Sequence, residues 1–555
     1  MRILLISAAV AVVAATLVVG YRAFWLAPND TVAVNNRGIA YAKKGQYDRA
    51  IEDFDQAIRL DPKYARAFYD RGNAYAAKAQ YDRAIEDYDQ AIRLDPKSAP
   101  AFYDRGLAYQ AQAQYDRAIE DYDQAIRLDP KYTFAFYNRG NAYQAKAQYD
   151  RAIENYDQAI GLDPKHARAF NNRGSAYTAK AQYDRAIEDF DQALRLDSKH
   201  ASAFYNRGLA YQDKAQYDRA IEDFDQAIRL DPKDAHAFYN RGNAYRDKAQ
   251  YDRAIEDYDQ AIRLDPKDAF AFNNRGLAYE AKAQYDRAIE DFDQAIRLDP
   301  KYAPAFYNRG NAYQAKAEYD RAIEDYDQAI RLNPKYTFAF YNRGNAYAAK
   351  AQYDHAIEDY DQAIRLDPKY AFAFITRGNA YKAKAQYDRA IEDFDQAIGL
   401  DPKLALAFVS RGIAYFNTGR FAIAAGDFEH SLYINAAQVY GVLWLHLARA
   451  RSNRDDTEEL AGNAAKVDLK TWPGPVLAYY LKRIDANDVM AAARTGDAKT
   501  QREQGCEASL YVGEDAVLRQ NTDEATRLLR QARETCPPNS VEYTTAEVEL
   551  KRLEK

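Results

Sequence analysis

The chain has 555 residues, more than one ordinary domain holds, and its composition is narrow: 48 tyrosines stand beside two methionines and two cysteines. Such heavy use of a few residue types indicates internal repeats. Lysine and arginine total 77 against 83 acidic residues, a net charge of −6, and residues 65–98 hold six charges of each sign. This balance excludes the extended basic face that nucleic-acid binding requires.

The N-terminal segment differs from the rest of the chain. Residues 3–20 form an uncharged run, and a helix of that length spans about 27 Å, close to the roughly 30 Å thickness of a bilayer's hydrocarbon core. Tyr21, Phe24 and Trp25 follow it, as an aromatic belt follows a membrane helix. We therefore expect a membrane segment at residues 1–26 and a linker at residues 27–30.

Two interpretations of this segment are open, a retained anchor and a cleaved signal peptide. The anchor is favoured because the apolar run is long and its Ala-x-Ala sequence, at residues 9–11, falls too early for cleavage. Either interpretation exports the rest of the chain.

The dipeptide Arg-Gly recurs at intervals of 34 residues along most of the chain. Its glycines are Gly38, Gly72, Gly106, Gly140, Gly174, Gly208, Gly242, Gly276, Gly310, Gly344, Gly378 and Gly412. With this glycine at position 8, twelve repeats run from residue 31 to residue 438. Positions 1 to 34 below refer to this repeat.

Each repeat predicts two helices, as residues 303–336 show. The first carries apolar residues at three- and four-residue steps: Phe306, Gly310, Tyr313 and Ala317. The second has the same spacing at Ala322, Ile323, Tyr326, Ala329, Ile330 and Leu332. Pro334 ends it because proline disfavours helix in the residue before it. The polar stretch between the helices is short, so we expect a hairpin.

Small residues occupy fixed places in this hairpin. Gly310 and Ala322 are predicted to let the two helices approach closely, with Tyr313 and Tyr326 filling the volume around the contact. On the outer face, Asp327 and Arg331 are expected to form an i,i+4 ion pair worth about 0.2–0.5 kcal/mol.

The period and the residues within it resemble the tetratricopeptide repeat. In residues 303–336 the matching residues are Gly310, Tyr313, Ala322, Tyr326, Ala329 and Pro334. The resemblance covers residues 31–438 and implies an all-α fold, a superhelical solenoid of antiparallel helix pairs. One departure is position 7, usually leucine in that family, which is arginine from Arg37 to Arg411. We interpret it as a packed stem whose head pairs with a neighbouring carboxylate.

Beyond residue 438 the 34-residue period stops. Residues 439–505 predict an irregular helical segment with apolar stretches at 439–451 and 476–484. Residues 506–555 predict a thirteenth repeat-like unit with Gly513 at position 8, followed by a charged helix at 542–554. That helix is expected to cap the array, because a terminal repeat has no neighbour to cover its apolar face.

Three pieces of the C-terminal segment, residues 440–451, 472–484 and 506–520, resemble the C-terminal part of NlpI-type bacterial tetratricopeptide lipoproteins. The resemblance implies an adaptor of the bacterial cell envelope that brings peptidoglycan hydrolases and proteases together, with a homodimer as one candidate assembly. Those proteins carry a lipidated cysteine after the signal sequence, whereas the first cysteine here is Cys506. If the function carries over, the anchor is a helix at residues 3–20, and the repeats face the periplasm or the cell exterior.

The two cysteines, Cys506 and Cys536, fall at the start of the first helix and the end of the second helix in the thirteenth repeat. An antiparallel hairpin brings these two ends together, close enough for a disulfide. Export favours the disulfide over the alternative of two unpaired thiols.

No side-chain pattern in the sequence indicates catalysis. The six histidines lie at different repeat positions without metal-ligand spacing, and there is no phosphate-binding loop, dinucleotide turn or Ser/His/Asp set. We therefore expect a protein that is not an enzyme and that holds no cofactor or metal.

Binding of proteins or peptides is then the favoured function. On the tetratricopeptide resemblance, positions 2, 5, 6, 9, 12 and 13 of the first helix line a concave surface. Tyrosine at position 5 and asparagine at positions 6 and 9 recur there. The candidate partner-binding residues are Tyr69, Tyr103, Tyr137, Asn138, Asn141, Tyr205, Asn206, Tyr239, Asn240, Asn243, Tyr307, Asn308, Asn311, Tyr341, Asn342 and Asn345. Asparagine both donates and accepts, so a ladder of asparagines could pair with an extended peptide backbone. The alternative is that these residues serve hydrogen bonds along the helix surface.

Two functional hypotheses follow. In the first, the chain is an adaptor that binds protein segments along the concave face. In the second, the repeats form a structural spacer and binding is confined to the C-terminal segment.

Overall fold

The structure, a computed structural model, describes residues 30–538 and 540–554. Within them the chain forms 31 α-helices and no strand. The predicted membrane segment, residues 1–26 with the run at 3–20, lies outside the described residues, and of the predicted linker only Asp30 is described. No helix in the described part of the chain is long and apolar enough to cross a bilayer.

Residues 31–434 form twelve helix pairs, one to each repeat. The first helices, called A helices, are α1 (Thr31–Ala42), α3 (Ala65–Ala77), α5 (Ala99–Ala111), α7 (Thr133–Ala145), α9 (Ala167–Ala179), α11 (Ala201–Asp213), α13 (Ala235–Asp247), α15 (Ala269–Ala281), α17 (Ala303–Ala315), α19 (Thr337–Ala349), α21 (Ala371–Ala383) and α23 (Ala405–Asn417). The second helices, called B helices, are α2 (Tyr47–Leu60), α4 (Tyr81–Leu94), α6 (Tyr115–Leu128), α8 (Tyr149–Leu162), α10 (Tyr183–Leu196), α12 (Tyr217–Leu230), α14 (Tyr251–Leu264), α16 (Tyr285–Leu298), α18 (Tyr319–Leu332), α20 (Tyr353–Leu366), α22 (Tyr387–Leu400) and α24 (Phe421–Ile434). The predicted all-α solenoid of helix pairs is confirmed for this part of the chain.

The chain divides into two compact units at residue 266. The described part of the first holds α1–α14, and that of the second holds α15–α31. In each compact unit, an A helix packs against its own B helix, and that B helix packs against the next A helix.

The glycine at position 8 makes room for an aromatic ring. A Cβ atom added at Gly310 would lie 2.8 Å from Cε1 of Tyr326, and one added at Gly38 would lie 2.6 Å from Cε1 of Phe54. The rings and the alanine at position 20 are buried, as Tyr326 and Ala322 are. The predicted close approach of the two helices is confirmed. Glycine is required at position 8 because the aromatic ring at position 24 occupies the space that a Cβ atom would need.

The turn between the two helices departs from the sequence prediction. Helix α17 ends at Ala315, so Ala317 does not belong to its apolar stripe as predicted. Ala317 instead has φ +58°, in the left-handed region, because the chain must reverse within a few residues. The same position holds Gly45 and Gly419 in the first and last repeats and alanine in the ten between them.

Seven helices follow the array: α25 (Val439–Arg451), α26 (Thr457–Ala464), α27 (Gly474–Tyr480), α28 (Ala486–Ala492), α29 (Ala498–Leu518), α30 (Thr522–Thr535) and α31 (Val541–Leu553). Helix α29 starts eight residues before the predicted domain boundary at 505/506 and continues through it. Trp444, Tyr511 and Leu529 lie in the core that these helices share.

The final helix returns to the twelfth repeat. Thr545 Oγ1 donates to Oδ1 of Asn417 at 3.1 Å, and Arg552 donates to the carbonyl of Asn417 at 2.7 Å. Buried Glu549 accepts from Arg451 at 2.9 Å. The cap therefore buries one face of its charged sequence in addition to presenting charge to solvent.

Candidate functional site

The arginine at position 7 forms the same set of contacts in repeat after repeat. Arg105 donates from Nε and Nη2 to the two carboxylate oxygens of Asp121, at 2.8 and 2.6 Å. Its third nitrogen, Nη1, donates to Asp89 of the preceding repeat at 2.5 Å. The guanidinium carbon lies 5.5 Å from the centroid of the Phe102 ring, and the side chain as a whole is 19% exposed. The prediction of a packed stem with a paired head is confirmed.

This arrangement, called the arginine clamp below, joins consecutive repeats. The carboxylate at position 23 belongs to the same repeat and is buried, whereas the carboxylate at position 25 belongs to the previous repeat and is partly exposed. A fork of guanidinium nitrogens can hold both because its donors are fixed in a plane. In the fourth repeat, position 23 is Asn155, and Arg139 Nε donates to its side-chain oxygen at 2.6 Å.

The predicted ion pair between Asp327 and Arg331 is wrong. Asp327 is at position 25 and accepts from Arg343 of the next repeat, while Arg331 donates to Gln328 at 3.2 Å. Asp327 pairs with Arg343 and not with Arg331 because Arg343 is partly buried, and water screens an ion pair less at such a position.

The predicted partner-binding residues lie along the A helices, and many of them bond to one another. The amide of Asn342, at position 6, donates to the hydroxyl of Tyr307 at 3.0 Å and to Oδ1 of Asn311 at 2.9 Å. Asn138 and Asn240 donate in the same way to Tyr103 and Tyr205. Positions 6 and 5 of consecutive repeats are therefore linked by hydrogen bonds.

The asparagine at position 9 has a partner in its own repeat. Asn311 accepts from the hydroxyl of Tyr326 at 2.8 Å, and Asn141 accepts from Tyr156 at 2.8 Å. The residue types at positions 9 and 24 are correlated along the sequence, which helical periodicity alone does not reveal. Five of the six repeats with tyrosine at position 24 have asparagine at position 9, against one of the six with phenylalanine there.

The remaining candidates are also in contact with neighbouring side chains. Asn206 donates to Asn171, buried Asn308 donates to Asn273, and Tyr69 donates to Asp104. Further contacts of the candidates are those of Tyr137 with Asn172, Tyr239 and Asn243 each with Tyr258, Tyr341 with Tyr370, and Asn345 with Tyr360. A bound peptide would have to share or replace these bonds.

Position 2 of the A helices, which the sequence analysis places on the concave surface without naming candidate residues there, carries exposed apolar side chains. Phe338 is 52% exposed, Phe372 is 45% exposed and Leu406 is 47% exposed, in three consecutive repeats. Tyr370 lies between Phe338 and Phe372, with its ring centroid 5.7 Å from that of Phe338 and 6.4 Å from that of Phe372. These four residues are called the aromatic patch below.

Three charged residues at position 12, Arg246, Glu280 and Lys382, interrupt the regularity of the A helices. Burial raises the pKa of half-buried Glu280 to about 7, and its charge interacts with Tyr307 and Tyr326. Burial lowers the pKa of Lys382 to about 8, and the nearby Glu542 of the final helix opposes this shift. The A-helix face therefore differs from repeat to repeat in charge.

Cys506 and Cys536 are bonded in the structure, with their Cα atoms 5.0 Å apart. The bond joins helix α29 to the end of α30. Cys536 follows the second helix as predicted, whereas Cys506 lies eight residues inside α29 and not at its start, because the helix begins at Ala498. Among the described residues, no group of His, Cys, Asp or Glu side chains could hold a metal ion.

Family models of the tetratricopeptide repeat match most of the array. A model described as TPR repeat matches residues 38–79, 72–113, 174–215, 242–283 and 378–419. Two described as Tetratricopeptide repeat match residues 99–132, 134–166, 201–234, 269–302, 303–336 and 338–370 in one case and residues 224–256 in the other. Together these ranges cover more than half of the chain.

Similar proteins cover smaller parts. The Small glutamine-rich tetratricopeptide repeat-containing protein 2 of Mycosarcoma maydis is 43% identical over 47 residues, 8% of this chain and 13% of that protein's length. YrrB, whose crystal structure is described as that of a TPR protein with an unusual peptide-binding site, is 28% identical, with a TM-score of 0.31. The match covers 34% of this chain and 98% of YrrB.

Two further solved structures are MamA and yeast Tom70. MamA is 30% identical, with 31% of this chain and 93% of MamA covered and a TM-score of 0.29. Tom70 is 17% identical, with 76% of this chain and all of that chain covered and a TM-score of 0.36. The repeat models, which together match most of residues 38–419, show that the chain belongs to the tetratricopeptide-repeat family.

Proposed function

We propose that this protein is a non-catalytic scaffold that binds protein segments on the A-helix face of its second compact unit. Tetratricopeptide proteins generally mediate protein–protein interactions. The observation that carries the proposal is the aromatic patch, because exposed aromatic side chains grouped on one face are typical of binding surfaces. The occupant is a protein segment that presents apolar side chains to Phe338 and Phe372.

The asparagine and tyrosine ladder has a supporting role in this proposal. Its amides are engaged with neighbouring repeats, so exchanging these bonds for bonds to a peptide yields little net free energy. Burial of a phenylalanine side chain contributes roughly 1.5–3 kcal/mol. The apolar contacts therefore supply most of the affinity, and the candidate residues Asn308, Asn311 and Asn342 orient the bound backbone.

Site-specific photo-crosslinking in cells tests this proposal. A benzoylphenylalanine at position 338 should capture partner proteins, and the double variant Phe338→Ser, Phe372→Ser should weaken their binding at least tenfold. Phe134→Ser is the matched control, since Phe134 occupies the same repeat position and is 56% exposed, yet lies in the other compact unit. An equal loss of partner binding in the Phe134→Ser control, or the absence of any crosslink at position 338, would contradict the proposal.

A structural spacer is the second candidate, and the arginine clamp favours it. A clamp that joins consecutive repeats stiffens each junction, which suits a rod that sets a distance. Deleting three consecutive repeats from the first compact unit separates the two functions. A scaffold with a local site keeps its partners after the deletion, whereas a spacer loses function according to length.

We also propose that residues 1–26 anchor the protein in a membrane, with the repeats in the bacterial envelope. The support is the uncharged run at residues 3–20 and the pair of cysteines suited to an oxidising compartment. Washed membranes should retain the protein after carbonate treatment, and N-terminal sequencing should begin at Met1. A soluble protein that begins near residue 27 would contradict the anchor.

Peptidoglycan hydrolases and proteases are the proposed partners in that compartment, and a homodimer is the proposed assembly. Support comes from the resemblance of residues 440–451, 472–484 and 506–520 to NlpI-type proteins. Mass spectrometry of the proteins crosslinked at position 338, with sedimentation of the purified chain, tests both.

A further inference from the structure

A cleft of about 780 Å³ lies in the C-terminal segment, away from the aromatic patch. Its walls come from residues 446–461, 479–484 and 515–519. The three sequence pieces set apart in the sequence analysis, 440–451, 472–484 and 506–520, therefore meet at one cavity. A volume of this size is in the range of ligand-binding pockets.

The carboxylates of the cleft already have partners. Asp515 accepts from the hydroxyl of Tyr479 at 2.6 Å and from Arg519 at 2.7 Å. Asp456 contacts Nδ1 of His446 at 3.0 Å, and Asp455 accepts from the hydroxyl of Thr457 at 2.7 Å. Of these carboxylates only Asp515 is paired with a permanent cation, Arg519; Asp455 and Asp456 accept hydrogen bonds that do not neutralise them.

The cationic side chains of the same cleft have fewer hydrogen bonds and ion pairs than its carboxylates. Within residues 30–538 and 540–554, the structure describes no side-chain hydrogen bond or ion pair for Lys482 or Arg483. Arg454 has 66% of its side chain exposed and approaches Glu429 only to 3.8 Å, while Glu429 is held by Arg449 at 2.5 Å. The cleft is lined by four cationic side chains, Arg454, Lys482, Arg483 and Arg519, and by three carboxylates, so its net charge is positive by one.

The cleft also has an apolar wall. Leu460, Tyr480, Leu481 and Ile484 line it, and the ring of Tyr480 lies 4.8 Å from that of His446. Lys482 has φ +57° and belongs to the turn after α27, as left-handed residues do in the turns of the repeats. Apolar side chains beside two unengaged cations suit a ligand with an apolar body and an anionic end.

We propose that this cleft binds the C-terminal end of a protein or peptide. The terminal carboxylate is held by Arg454 and Arg483, since guanidinium groups bind carboxylates through paired hydrogen bonds. The last side chain of the ligand is apolar and packs against Leu460 and Tyr480. The site goes beyond the proposed function, because it lies on other helices and selects a chain end in place of an internal segment.

Fluorescence polarisation with the full-length protein tests the site. The probe is a labelled peptide, Gly-Ser-Ala-Leu-Phe, with a free terminal carboxylate, and it is compared with the same peptide ending in an amide. We expect the amide to bind at least tenfold more weakly than the free acid. The double variant Arg454→Gln, Arg483→Gln should weaken binding of the free acid to the same extent.

The matched control is the double variant Arg527→Gln, Arg530→Gln, which removes two exposed arginines of α30 outside the cleft. It should bind the free acid as the parent does. Equal binding of acid and amide, or no binding of either, would overturn the proposal. Displacement of the peptide by inorganic phosphate or by vesicles of anionic phospholipid at similar concentrations would also overturn it, in favour of a general anion site. The Phe338→Ser, Phe372→Ser variant should leave this binding unchanged, so failure here is distinct from failure at the aromatic patch.

Discussion

A single alanine in each inner turn is held in a conformation that costs free energy. Left-handed backbone disfavours every residue with a Cβ atom by about 1–2 kcal/mol, whereas glycine adopts it without penalty. The first and last repeats use Gly45 and Gly419 at this position, and Ala317 stands there in the ninth. The array therefore has local strain at its turns that its own terminal repeats avoid.

Ala317→Gly should stabilise its repeat by about 0.5–1 kcal/mol, after allowance for the greater freedom of glycine in the unfolded chain. Urea unfolding followed by hydrogen exchange in α17 and α18 measures this. Ala315→Gly is the control: it is exposed in the last turn of α17 and should lose about 0.5–1 kcal/mol. Destabilisation by both substitutions would contradict the interpretation of strain.

A carboxyl group at Glu280 makes stability depend on pH in the opposite direction to most acidic residues. Its pKa of about 7 in the folded protein is above its ordinary value, so the folded state retains a proton that the unfolded state releases. The free energy of unfolding should fall as pH rises from about 4.5 through 7. Glu280→Gln should be more stable than the parent by roughly 1–3 kcal/mol at pH 8 and equal to it near pH 4.5. A difference that stays constant between these pH values would contradict this.

At the scale of the helices, the arginine clamp is the contact that fixes one repeat against the next. Arg309 donates to Asp325 at 2.8 and 2.5 Å and to Asp293 of the preceding repeat. Only 5% of the Asp325 side chain is exposed, against 35% for Asp293. The two carboxylates should therefore differ in their contribution to stability.

Arg309→Gln should cost about 2–4 kcal/mol, because it leaves the buried Asp325 carboxylate without its cation. Asp325→Asn should cost less, about 1 kcal/mol, since Asn155 of the fourth repeat shows that an amide keeps one bond to the arginine. Asp293→Asn should cost about 0.5 kcal/mol and act mainly on the junction. Unfolding in urea with hydrogen exchange in α16 and α17 measures the order, and a larger loss for Asp293→Asn than for Arg309→Gln would contradict it.

The sequence predicts contacts within a repeat better than contacts between repeats. Helical periodicity identifies both helices, and the invariant small residue leads to the close approach at Gly310. Helical periodicity wrongly assigns Ala317 to the first helix, because nothing in the sequence indicates that this alanine adopts left-handed backbone. It also pairs Asp327 with Arg331, because the correct partner, Arg343, lies 16 residues away in the next repeat.

The candidate site shows the same division. The tyrosines and asparagines of the A helices are identified by position, but their mutual bonds cross 15, 31 or 35 residues and are invisible to a helical pattern. Exposure of Phe338 and Phe372 is likewise a property of the packed array. The cleft at Arg483 requires three separated segments to meet, and periodicity contains no information on that.

At the scale of the whole molecule, the bond between Cys506 and Cys536 holds the hairpin that supports the final helix. Closing a loop of this length contributes roughly 3–4 kcal/mol in the chain-entropy model. Reduction should therefore increase hydrogen exchange in α30 and α31 and leave the first compact unit unchanged. Cys506→Ser with Cys536→Ser should reproduce the effect of the reductant. Labelling of two thiols in unreduced, denatured protein would contradict the predicted disulfide.

The arginine clamp also bears on how such an array can change length over generations. Each guanidinium needs one carboxylate 16 residues ahead and one 16 residues behind, and nearly every repeat supplies both. Recombination between misaligned copies of the gene that removes or adds 34 codons brings each arginine to an equivalent pair of partners, wherever the crossover falls. The contacts of the clamp therefore do not depend on the number of repeats. Natural variants of this chain should differ by whole repeats far more readily than by insertions within one.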